Sequence, residues 1–419
     1  MFQDIGELLT LEGAQHKGAR SVSETDLSLL TQAVIICDQG KIVWIGPQSA
    51  FKASLLQAWG GEKQAEFISL NGRTVLPAFV EPHTHLIFAG DRAHEFEWRI
   101  QGQTYQEISA KGGGIRFTVS ETRQASADTL LRLAQQRCDR FYRQGVTTLE
   151  VKSGYGLDMN TELRSLQVAR ALKGPRIVTT YLGAHSRSPD FPDLDSYINM
   201  MCDEVLPRLA RDKMADRVDM YIEDGFFTSH HARKYFQRAR DLGLAVTGHC
   251  EQLSDSGGAD VLLEFAAQSV DHVVFINPQT LERVAKSHTT AVLLPTSDFY
   301  LRVEYPKARA LIGAGARVAL STDFNPGTSP TQDLSLVGVL ARLEMKMTLP
   351  EVITAYTLGA AFALGKQNQV GSVTVGKDCD FVVLSGSWSE LFYSVGEHPI
   401  ARVYQAGEQV VNNDSTIKT

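Results

Sequence analysis

The chain has 419 residues, which at roughly 150 residues per domain is about three units, or one large α/β barrel with a smaller companion. Hydrophobic residues make up 43% and charged residues 21%, the balance of a chain that buries a core, and this excludes wholesale disorder. The 41 Lys+Arg against 48 Asp+Glu leave a formal charge of −7 with no basic block, which excludes nucleic acid as a partner.

The opening MFQDIGELLTLEGAQ carries acids where a signal peptide needs bases, and no later stretch reaches the length of about 18 apolar residues that a membrane span requires. The first 25 or so residues and the tail NNDSTIKT carry little local structural signal. AVIICDQGKIVWIGP (33–47) reads as two strands around a DQG turn. Eight β-branched runs follow: TVLPAFVEPHTHL (74–86), TTLEVKSG (147–154), RIVTTYLGAH (176–185), VDMYIEDG (218–225), AVTGHC (245–250), SVDHV (269–273), AVLLPTS (291–297) and RVALSTDF (317–324). Between them, segments such as 127–145 and 229–243 have helical spacing and a glycine near the end. Eight alternations predict a parallel barrel. KGGGIRFT (111–118) reads as a flexible loop, since no strand precedes it and no phosphate-binding Lys-Ser/Thr follows. The pair His230–His231 opens a helix away from the strand ends. After the barrel, 371–388 and 401–411 form further strands that should pair with the N-terminal ones. The five cysteines show neither disulfide nor zinc-knuckle spacing, which points to a reducing cytoplasm.

His83 and His85 end the first run, and residues i and i+2 of an extended strand point to one side, so both imidazoles can face one ion. His249 ends run five, His272 lies in run six and Asp323 ends run eight, which in a barrel brings all of them to the C-terminal rim where catalytic groups gather. Imidazoles with a carboxylate suit zinc or a first-row ion such as iron, not Mg²⁺ or Ca²⁺. Such an ion makes water nucleophilic near neutral pH, so hydrolysis is the expected chemistry. Run four offers Glu223 but no lysine to bridge two ions, so one ion is expected.

PHTHL, HC, DHV, STDFNPG and GKDCDFVVL resemble the amidohydrolase superfamily. The longer stretches at 81–99, 151–158, 181–185, 269–276, 291–301 and 321–334 are similar to the branch that opens the imidazolone ring in histidine degradation, with matches from about residue 30 to 411. The resemblance implies a (β/α)8 TIM-like barrel over 74–365 and a small β-sandwich domain from both termini, 1–73 and 366–419. It implies hydrolysis of the lactam C–N bond of 4-imidazolone-5-propanoate to N-formimidoyl-L-glutamate, with one Zn²⁺ or Fe ion per subunit, no organic cofactor and a homodimer. It further implies that His83, His85, His249 and Asp323 hold the metal. Arg92, Tyr155, His185 and Thr328 would contact the substrate, with Asn325 and Gly327 at the ring-opened product. Arg92 offers a planar fork for the propionate, while Tyr155 and His185 can donate to ring or carboxylate oxygens.

One position departs from the pattern. Three residues beyond His249, where some members of the superfamily carry glutamate, stands Gln252, whose amide can bind substrate but cannot take a proton. Glu251 alternates away if the strand continues. Asp323 and His272 are left as the proton carriers, with His272 helping to polarise the carbonyl. The metal set alone also fits a deaminase or cyclic amidase, and some barrels of this kind are non-catalytic scaffolds. Arg92, Tyr155 and the FNPGTS loop stand against the first, and the complete ligand set stands against the second.

Overall fold

The computed structural model describes residues 1–103, 107–108 and 111–414. Both termini contribute to one sheet, in which β1 (Phe2–Leu9), β2 (Leu29–Asp38), β3 (Lys41–Pro47), β4 (Ile68–Ser69) and β5 (Thr74–Pro77) come from the N-terminal side. β1 lies at its centre, paired with β2, β4 and β5, so the first residues are strongly specified rather than weakly. A bulge hides this in the sequence: Asp4 has φ 55° and the register shifts between Phe2 and Ile5, so the buried residues Phe2, Ile5, Leu8 and Leu9 do not alternate simply. The DQG turn between β2 and β3 is as expected, with positive φ at Gln39 and Gly40.

The run at 74–86 is not one strand. Its first part, β5, pairs with β1 in the terminal sheet, and β6 (Phe79–Glu81) opens a second, parallel sheet. The chain crosses between sheets at Ala78, whose amide still reaches Asp380 O (3.2 Å) while that of Phe79 reaches Gly145 O (2.9 Å). Only Pro77, the last residue of β5, marks the crossing, and the apolar residues on both sides of it make the run look continuous.

The second sheet continues through β7 (Val146–Lys152), β8 (Arg176–Ala184), β9 (Arg217–Ile222), β10 (Ala245–Cys250), β11 (Ser269–His272), β12 (Thr290–Leu293) and β13 (Arg317–Leu320), each beside the next. A parallel bridge between Thr84 and Phe324, with Thr322 N donating to Glu81 Oε1 (2.9 Å), joins the last strand to the first and closes an eight-stranded barrel. After it, β14 (Phe381–Leu384), β15 (Ile400–Gln405) and β16 (Glu408–Asn412) complete the terminal sheet, with β14 against β5. Phe2 meets Phe381 and Tyr404 edge-on at 4.9 and 5.1 Å in its core.

The barrel helices form for ordinary reasons. Ala127–Arg143 is capped by Ser126, whose side chain accepts from Thr129 N, and buries Leu130, Ala134, Cys138 and Phe141 along one stripe. From the same helix Arg137 stacks 3.4 Å over the Phe88 ring and donates to Leu86 O and Phe88 O at 2.8 Å, fixing the loop that follows β6. Within 111–118 only the glycine turn is irregular, because a helix starts at Ile115 once Glu95 accepts from Gly114 N. His231 caps the helix Ser229–Asp241 through Thr228. Among the described residues no helix is long and apolar enough to cross a membrane.

Candidate metal centre and substrate pocket

The short strands end just below the rim, and the chain turns sharply there. Glu251, His272, Val273 and Asp323 all have positive φ, between 47° and 76°, a costly conformation for side-chain-bearing residues that concentrates here at the mouth of the barrel. His83 and His85 are pinned by their neighbours: Thr84 N donates to Glu150 Oε2 (3.0 Å), Thr84 Oγ1 to Glu150 O (2.6 Å), and His85 N to Phe324 O (2.9 Å). With Thr84 turned outward, both imidazoles face inward to meet His249.

The three buried histidines bring one ligand atom each within 4.8 Å of the others. His85 Nε2 lies 3.3 Å from His249 Nε2, and Asp323 Oδ1 lies 3.4 Å from both His83 Nε2 and His85 Nε2. His83 Nε2 and Asp323 Oδ1 are buried with no hydrogen-bond partner. Lone pairs converging in this way, from nitrogens and one carboxylate, fit a zinc or iron ion. The other ring nitrogens are fixed from behind, His83 Nδ1 by Asp271 (2.7 Å) and His249 Nδ1 by Asp219 (3.0 Å). Burial and Lys152 press His83 down, but Asp271 and Asp323 outweigh them and raise it to about 9. Burial dominates at His85, which falls to about 4.

Above the histidines opens a cavity of about 880 Å³, lined by His85, Arg92, Tyr155, His185, His249, Gln252, His272, Asp323, Asn325 and Thr328. His83 lies beneath it. Gly327, expected at the product, does not line the cavity, because the Arg92 guanidinium covers it. Asn325 shapes the loop: its Oδ1 accepts from Gly327 N (2.9 Å) and Thr328 N (2.7 Å), and its Nδ2 donates to Asp323 O (2.7 Å). Among the described residues no carboxylate pairs with Arg92, and its Nε is buried without an acceptor. Its neighbours are engaged elsewhere, Asp91 with Ala93 N and Glu95 with Gly114 N.

His185 stacks on His85 with ring centres 5.0 Å apart, and its Nδ1 lies 2.9 Å from Gly154 O. A carbonyl only accepts, so Nδ1 carries a proton and donates to it. Burial, then the charges of His85 and His249, holds this ring well below the ordinary histidine range. Gln252 is held by Tyr221, whose hydroxyl donates to Oε1 (2.9 Å), and by Ser297, which accepts from Nε2 (3.3 Å). Glu223 organises the same loop, accepting from Gln252 N (3.0 Å), Leu253 N (2.9 Å), Asp224 N (3.0 Å) and the Ser254 hydroxyl. Glu251 turns away from the cavity, where both its oxygens accept from Ala259 N (3.1 Å) and burial raises it to about 7. Sequence reasoning missed Lys152, Asp219, Asp271 and Tyr221. Their signal was a charged or phenolic residue inside a β-branched run.

The amidohydrolase family pattern matches residues 74–410. Imidazolonepropionase of Bdellovibrio bacteriovorus is 51% identical over 410 residues, covering 98% of this chain and 96% of that protein. The Bacillus velezensis imidazolonepropionase is 38% identical over 421 residues, with 99% and 97% covered. Among solved structures, an adenosine deaminase from Xanthomonas campestris with bound zinc superposes at a TM-score of 0.63 and 19% identity, covering 97% of this chain and 92% of that one.

Proposed function

The chain belongs to the amidohydrolase family and, within it, to the imidazolonepropionases, and from that membership we propose how its pocket hydrolyses the lactam C–N bond of 4-imidazolone-5-propanoate to N-formimidoyl-L-glutamate. One observation carries the substrate class. Arg92 presents a guanidinium that has no carboxylate partner among the described residues, in the same cavity as His85, His249 and Asp323, which suits a small cyclic amide bearing a carboxylate.

His83, His85, His249 and Asp323 would hold one zinc or iron ion per subunit. The zinc in the deaminase of the same fold favours zinc. Such an ion supplies Lewis acidity that polarises a carbonyl and makes water nucleophilic near neutral pH. Arg92 binds the propionate, with Tyr155 and Thr328 beside it, and His185 contacts the substrate from the same cavity. Gln252 orients the ring through its amide and takes no proton. Asp323 receives the proton of the attacking water and passes it to the nitrogen released when the C–N bond breaks, while His272 stabilises the charge that develops on the carbonyl oxygen. Water thus adds hydroxyl to carbon and hydrogen to nitrogen, and no redox partner is needed. A homodimer, a cytoplasmic setting and a three-part division of the chain belong to the same reading, with the boundary expected at residue 74 moved to Ala78 because β5 pairs within the terminal sheet, and five free thiols suit a reducing compartment.

The test is selectivity for charge. The kcat/KM for the propanoate should exceed that for its carboxamide analogue by at least about 30-fold, the loss of one charge-assisted contact. Equal values would remove Arg92 from the reading.

A further inference from the structure

Beneath the histidines lies a charge network that the mechanism above does not use. Lys152, the last residue of β7, is fully buried. Its ammonium lies 2.8 Å from Glu150 Oε1, 2.8 Å from Asp219 Oδ2 and 4.0 Å from Asp271 Oδ2. Each aspartate fixes one histidine: Asp219 Oδ1 is 3.0 Å from His249 Nδ1, and Asp271 Oδ2 is 2.7 Å from His83 Nδ1. Arg217 closes the far side, with Nη2 3.1 Å from both Glu150 Oε1 and the carbonyl oxygen of Pro82, the residue before His83.

We propose that Lys152 is the positioning residue of the metal centre, bonded to Asp219 and balancing the charge of Asp271, so that His83 and His249 turn their Nε2 atoms toward one point. A histidine whose Nδ1–H is held by a carboxylate is fixed in tautomer and ring orientation, and its other nitrogen is a better ligand. Two buried carboxylates that approach one region need a cation between them. The compact ammonium donates to Glu150 and Asp219 and acts on Asp271 through its charge from 4.0 Å. The charges agree. Glu150, Asp219 and Asp271 against Lys152 and Arg217 leave one negative charge, and Asp323 makes two, which a divalent ion cancels.

This inference rests on the reading that the three histidines hold a metal, and the parent protein tests that reading separately: a parent that takes up no zinc removes it, whatever Lys152 does. The experiment titrates metal-free protein with zinc against a chromogenic chelator and records the melting temperature of each metal-free variant. Lys152→Met should bind zinc about 10- to 100-fold more weakly than the parent. Affinity within about twofold of the parent, even with a lowered melting temperature, is the signature of a purely structural lysine and overturns the proposal. Should Lys152→Met fail to fold, Lys152→Met with Asp219→Asn removes one charge of each sign. That double variant should bind zinc at least about tenfold more weakly than Asp219→Asn alone, because Asp271 and His83 still lack the lysine. Equal affinities overturn it.

Discussion

The Arg92 guanidinium lies directly against Gly327: a β-carbon built on that glycine would sit 1.9 Å from Nη2 and 2.3 Å from Cζ. Gly327 is not among the left-handed glycines, so the constraint is space rather than backbone conformation. Gly327→Ala should therefore displace the fork without disturbing the loop, raising KM for the propanoate by about tenfold and leaving bound metal unchanged. Steady-state kinetics in an Arg92→Met background check the cause, since the alanine should then add nothing.

Arg92→Met removes the fork itself. It should lower kcat/KM by about 2 to 4 kcal/mol with zinc content intact, because one charge-assisted contact to a carboxylate is lost. Tyr155→Phe should do less. A kcat/KM for Arg92→Met equal to the parent value would return this arginine to an ordinary surface role.

Residue 252 and Asp323 separate binding from proton transfer. Gln252→Glu keeps a hydrogen-bonding group between Tyr221 and Ser297, so kcat/KM should change by about tenfold or less in either direction. Asp323→Asn should lower kcat by about 10² or more even in metal-reloaded samples, because the proton acceptor is gone. Near-normal kcat in metal-replete Asp323→Asn would shift the proton step to His272, because Glu251 is turned away toward Ala259.

Much of this site was legible because the barrel rim is encoded locally. His83 and His85 share a side by their spacing, and His249, His272 and Asp323 each end or closely follow an apolar run. What stayed hidden depends on distant partners. His185 Nδ1 is committed to Gly154 O, 31 residues away. Lys152 resembles any charged strand residue until β9 and β11 bring Asp219 and Asp271 beside it. β1 was obscured by the bulge at Asp4, and the crossing at Ala78 by the apolar residues that continue on both sides of Pro77. In each case the determining contact is non-local or breaks the two-residue period on which strand reading relies.

Outside the site, Lys377 gives a pH test of the terminal domain. It is buried, its ammonium donates to Val370 O (3.1 Å), and burial lowers it from 10.5 to about 8. Between those values the unfolded chain binds the proton and the folded one does not, so stability rises with pH through the window and the cost is constant below it. Lys377→Met should stabilise the protein by about 1 to 3 kcal/mol at pH 7, and the gain should shrink above about pH 8. Denaturant titrations at pH 7 and pH 10 check it, and a gain that grows with pH would contradict the assignment.

The most direct test of the central claim is turnover by metal-free protein titrated with zinc. Product analysis of 4-imidazolone-5-propanoate should show N-formimidoyl-L-glutamate, with activity rising to a plateau at about one ion per subunit. No product at any zinc loading, or ammonia released from guanine or cytosine in its place, would contradict it.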